Sequence, residues 1–130
     1  MPTTQKIRYS DCDPQGIVFN GNYARYWDDA VTDWFEDLGF GGVELGGDIG
    51  ADVVTARLEM DFKATATIGD TLVTTVELER LGNTSMTLLL STSRESDSQV
   101  VAAGKVIDVF VDPTGFRPIP VPESIRTAIS

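Results

Sequence analysis

Hydrophobic residues recur along this chain first at helical spacing and later in alternation. Tyr23, Tyr26, Trp27, Ala30, Val31, Trp34, Phe35 and Leu38 follow one another at three- and four-residue steps. That spacing forms one apolar stripe of an α-helix. Asp28, Asp29, Asp33, Glu36 and Asp37 fall on its wet face. Asn20 or Asn22 can cap the start, and Gly39 the end. Two indole rings on one stripe predict a helix wrapped by sheet.

After this helix the period becomes two. In "VVTARLEMDF", Val54, Ala56, Leu58, Met60 and Phe62 alternate with Thr55, Arg57, Glu59 and Asp61, which predicts a half-buried strand. "TLVTTVELERL", "SMTLLLSTS" and "VVAAGKVIDVFVD" read as three more strands, the last apolar on nearly both sides and therefore central. Gly69-Asp70, Gly82-Asn83 and "RESDSQ" supply turns, so the four strands are expected to form a meander. "TTQKIRY" near the start suits a short first strand. The proline-rich tail allows at most a short helix over its last residues. The glycine-rich "GFGGVELGGDIGAD" follows a helix, lacks Lys-Ser/Thr and does not fit G-x-G-x-x-G, so it reads as a connection or pocket lid. Together these elements predict an α+β fold, a five-stranded antiparallel sheet around one long helix, with residues 1–130 as a single domain.

Composition narrows the chemistry. A chain of 130 residues, 42% hydrophobic, has one core and no apolar run long enough for a membrane span. The start "MPTTQKIRYS" lacks the apolar stretch of a signal peptide, and the lone Cys12 cannot form an internal disulfide, so a cytoplasmic location is expected. The net charge of −10 disfavours nucleic acid and anionic membranes as partners. There is no histidine. That excludes Ser-His-Asp and Cys-His hydrolases and H-E-x-x-H metal sites, and argues against zinc or copper; no cofactor is expected. Carboxylates, hydroxyls or backbone groups must do any catalysis.

The chemistry-bearing stretch is "SDCDPQGIVFNGNYARYW", with Asp11 and Asp13 just ahead of a Pro-x-Gly turn and the predicted helix. On sequence grounds alone, Asp13 before Pro14 reads first as an Asx-turn. Asp11 reads as a tie for the loop, or more weakly as a charge that raises the pKa of Asp13. Cys12 reads as a small semi-buried apolar residue.

This segment, dense over Arg8–Ala30, resembles the signature of the 4-hydroxybenzoyl-CoA thioesterase family of hotdog-fold proteins, in which Asp-x-Asp-x-x-Gly-x-Val leads into a Tyr and the long helix. The resemblance implies hydrolysis of an acyl-CoA thioester with Asp13 as the catalytic carboxylate. It implies a backbone amide at about Asn20, at the helix N-terminus, as the group that polarises the carbonyl. It further implies dimers joined sheet edge to edge, often paired into tetramers, with active sites at the subunit interface.

The residues suit that chemistry. The thiol whose thiolate departs titrates near the ~8.5 of cysteine, so expulsion at neutral pH needs no histidine acid. Asp13 can act on water or attack the carbonyl, and unpaired amides with the helix dipole can stabilise the oxyanion. Gly16 lets the chain turn tightly between them. Tyr23 either lines the acyl pocket or packs in the core, and for Trp27 the same two readings stand open. In some family members a basic cluster at the turn between the third and fourth strands clamps the CoA phosphates; here Arg80 stands beside that turn, and Lys63, Arg57 and Lys105 are further candidates. The gap in that cluster motivates an alternative, a non-catalytic hotdog module that binds an acyl thioester or serves as a scaffold subunit. A hotdog dehydratase is a third reading, weakened by the missing histidine.

Overall fold

The computed structural model describes residues 2–40 and 50–129. In chain order these form strand β1 (Thr3–Lys6), a 3-10 turn (Tyr9–Asp11), helix α1 (Asn22–Asp37), strands β2 (Asp52–Phe62), β3 (Thr71–Leu81), β4 (Ser85–Arg94) and β5 (Val100–Val111), and helix α2 (Glu123–Ile129). The strands make one antiparallel sheet of order β1-β3-β4-β5-β2. Most of the glycine-rich connection, residues 41–49, lies outside the described residues.

Helix α1 buries Tyr23, Tyr26, Trp27, Ala30 and Phe35, as its apolar stripe requires. It ends as predicted. Gly39 takes φ +95°, its amide bonds Glu36 O, and the Phe40 amide bonds Phe35 O, a Schellman closure. The start differs from expectation: Gly21 is the N-cap and no side chain caps it, so neither Asn20 nor Asn22 does so. Asp33 is half-buried on the supposedly wet face because its carboxylate accepts Thr3 Oγ1 at 2.6 Å, tying α1 to β1.

Only β3, β4 and β5 form the expected meander. Strand β2 crosses the sheet to pair with β5 at the far edge. The reason lies in residues 63–70, which are no hairpin turn: Ala66 O accepts the Val18 amide and Thr67 bridges Ile17, so the segment is engaged by the loop before α1. Strand β5 is interior, as its two apolar faces predicted. A register shift between Thr55 and Arg57 changes the phase of β2. Val54, expected to face the core, is therefore 38% exposed, and Thr55 instead reaches the buried Asp108.

The core lies between α1 and the sheet. At its centre Trp27 Nε1 donates to Thr92 Oγ1 at 2.9 Å, and Thr92 shares a 2.7 Å hydrogen bond with Thr74. Indole and both hydroxyls are thus satisfied without water.

Candidate active site

The segment before α1 folds by local rules. Asp13 O accepts the Gly16 amide at 2.9 Å, closing a β-turn with Pro14 at its second position, and Gly16 takes φ +82°. The Gln15 amide donates to Asp13 Oδ1 at 2.9 Å, so the Asx-turn expected of Asp-Pro is present. The Asp13 amide bonds Ile17 O, and Cys12 bridges Val18, making a short ladder that projects the turn. Nothing among the described residues bonds the second carboxylate oxygen, Asp13 Oδ2. Asp13 lines a cleft of about 520 Å³ with Tyr9, Cys12, Pro14, Gly16 and Ile68.

The chain then enters the helix with unfilled donors. The Asn22 amide bonds Phe19 O, and the Tyr23 amide bonds Asn20 O at 3.3 Å. The amides of Asn20 and Gly21 have no partner among the described residues, and they stand at the positive end of α1. Asn20 lines a neighbouring cleft of about 200 Å³ with Ile17, Val18, Tyr23, Phe62, Ala64 and Thr65. Gly16 lines the first cleft and Ile17, the next residue, the second.

Tyr23 is buried against Phe62 at a ring separation of 5.7 Å, and burial first, then the Asp70 charge, pushes its phenol above the ordinary value. It is a neutral wall.

Asp11 is buried, with Oδ2 on the Arg8 amide at 2.8 Å and Oδ1 on Arg25 Nη2 at 2.9 Å. Burial alone would raise its pKa, but the Arg8 amide, the neighbouring Tyr26 hydroxyl and Arg25 outweigh it and hold the carboxyl below the ordinary 3.8. The Tyr26 hydroxyl is itself buried beside that carboxylate without a well-aligned hydrogen bond, and burial, then the adjoining Asp11 carboxylate as acceptor and as charge, pushes it far up.

The remaining expected residues lie elsewhere. Trp27 is 1% exposed and engaged by Thr92; it belongs to the core and is corrected out of the substrate site for that reason. Lys63 is exposed just beyond β2, between two residues that line the second cleft, and its amide bonds Val101 O. Arg80 is on the outer sheet surface with Arg57, Glu59, Glu79 and Lys105. It shares a rung with Thr87 and Ile107, about 20 Å along β5 from Val101 at ~3.3 Å per residue, so Lys63 and Arg80 do not converge. Arg126 of α2, unforeseen from sequence, reaches the β3–β4 turn and donates to Gly82 O at 2.8 Å.

A third cavity, of about 250 Å³ between α1 and β2/β5, includes Asp28, Phe35, Val53, Thr55 and Asp108. Burial pushes Asp108 up to about 6; the Thr55 hydrogen bond opposes this and the Asp28 charge adds to it.

A family model described as the thioesterase-like superfamily matches residues 7–129, nearly the whole chain. The chain belongs to the thioesterase-like superfamily. Acyl-CoA thioester hydrolase YbgC of Escherichia coli is 26% identical over 122 residues, 92% of this chain and 88% of that protein. Among solved structures, a 4-hydroxybenzoyl-CoA thioesterase mutant complexed with 4-hydroxybenzoyl-CoA superposes with a TM-score of 0.92 at 27% identity, covering 100% of this chain and 98% of that one. A gentisyl-coenzyme A thioesterase superposes at 0.89 with 25% identity and complete coverage of both chains. The thioesterase-like fold is therefore the hotdog arrangement expected from the signature segment.

Proposed function

We propose that this chain is an acyl-CoA thioesterase in which Asp13 is the base or nucleophile and the amide of Asn20, at the start of α1, helps to stabilise the oxyanion. One observation carries the reading. A carboxylate with a free oxygen lines an open cleft, on a tight turn a few residues ahead of a helix, and the two amides just before that helix are unpartnered.

Each step has a group to perform it. Asp13 Oδ2 either attacks the thioester carbonyl, giving a mixed anhydride that water then opens, or removes a proton from the attacking water. Charge builds on the carbonyl oxygen, where amide donors at a helix end are worth ~10²–10³ in rate each. The sulfur leaves as a thiolate at neutral pH. Gly16 and Tyr23 shape the site, and Lys63, between two residues that line the second cleft, is a cation for an anionic part of the substrate. Arg80, on the outer sheet surface, would reach the CoA phosphates only from another subunit.

Two sheets joined through their open β2 edges would make the homodimer, and further pairing a tetramer. The test is thiol release from a panel of short-chain, long-chain and aromatic acyl-CoAs. Turnover of at least one class is expected. Measurable binding with no turnover of any would instead favour the non-catalytic module.

A further inference from the structure

Asp11 and Asp13 are two residues apart, yet one faces a cleft and the other faces protein. Asp11 is 5% exposed. Its carboxylate holds the Arg8 amide and Arg25 Nη2, while its carbonyl accepts Asn22 Nδ2 at 2.8 Å and the Phe19 amide at 3.0 Å. Arg8 is the chain entering the Asp13 loop and Phe19 the chain leaving it. Asn22 and Arg25, three apart, present one face of the first turn of α1. The Arg25 guanidinium also sits 5.2 Å from the Tyr26 ring centroid, which restrains it over that face.

We propose that Asp11, held by Arg25, is a positioning residue that fixes the Asp13 turn against the start of α1 and so sets the separation between carboxylate and oxyanion donors. This rests on the thioesterase reading and adds to it two residues that touch no substrate. Magnitudes separate this role from simple stapling. The Arg25 side chain is 56% exposed, so water can replace its guanidinium at Asp11 Oδ1, while the carboxylate, itself 6% exposed, keeps the Arg8 amide on Oδ2. Reactive geometry is far less forgiving: a misplacement of about 1 Å can cost ~10²-fold in rate. Loss of Arg25 should therefore leave the fold standing while loosening the one relation the reaction needs.

The test compares Arg25→Ala, Arg25→Lys, Asp11→Asn and the Asp11→Asn/Arg25→Ala double variant with the parent, by steady-state hydrolysis and by amide hydrogen exchange over Gln15–Val18. Arg25→Ala and Asp11→Asn should each lower kcat ~10–100-fold with KM within about threefold. Lysine should recover part of the loss, and the double variant should be no slower than the slower single one. Exchange in the loop should quicken while the strand amides stay protected. Unchanged kcat in both single variants, against an inactive Asp13→Asn, overturns this inference alone. If the parent hydrolyses no thioester, the thioesterase reading fails first; unaltered loop exchange then overturns the clamp as well, and faster exchange keeps it as a loop anchor without catalytic meaning.

Discussion

Asp108 shows how one side chain can set a pH dependence. It is 3% exposed on the helix-facing side of β5, and its pKa is pushed from 3.8 up to about 6, first by burial. A folded-state value above the unfolded one means that the folded chain keeps a proton that the unfolded chain releases. The associated stability is complete below pH 3.8 and is lost as pH rises through about 6. The interval corresponds to about 3 kcal/mol. Asp108→Asn, which keeps an acceptor for Thr55, should raise Tm at pH 8 and leave it nearly unchanged at pH 4. A pH-independent difference in thermal melts would refute this. The turn at Asp13 was readable at this scale because the Asx-turn and the glycine at positive φ are local matters. Arg25 was not, because its partner lies across the loop, and Trp27 was ambiguous because a stripe position does not reveal what its indole N–H meets.

Among the elements, period and punctuation carried the reading of helix and strands. The partner of β2 was invisible: alternation specifies a strand's faces, and the crossing by residues 63–70 depends on nonlocal bonds to Ile17 and Val18. That same crossing puts Ile68 beside Asp13, so the unpredicted topology builds part of the site. The bulge in β2 was equally hidden, and it inverted the expectation for Val54. Gly104 marks how closely β2 and β5 approach, since a Cβ there would overlap the Glu59 carbonyl and meet Met60 Cα at 3.1 Å. Gly104→Ala should destabilise the fold by roughly 1–3 kcal/mol, read from the urea midpoint. An unchanged midpoint would mean the two strands can separate freely.

At the scale of the whole molecule, β2 is a long edge strand with Leu58 and Phe62 exposed on its helix side. Such an edge is normally covered. Sedimentation should give at least twice the 14.1 kDa chain mass, and Leu58→Glu should shift the particle toward monomer. A parent sedimenting as a monomer at micromolar concentration would remove the edge-to-edge assembly. Among the described residues no helix is long and apolar enough to cross a membrane. Family membership, the Asp13 turn and the unpartnered amides before α1 all lead to the same reaction. The most direct test is kcat for Asp13→Asn beside the parent, on a thioester the parent hydrolyses, with matching thermal melts to show both are folded. A loss of roughly 10²–10⁴-fold is predicted; equal rates would contradict the role assigned to Asp13 and with it the mechanism.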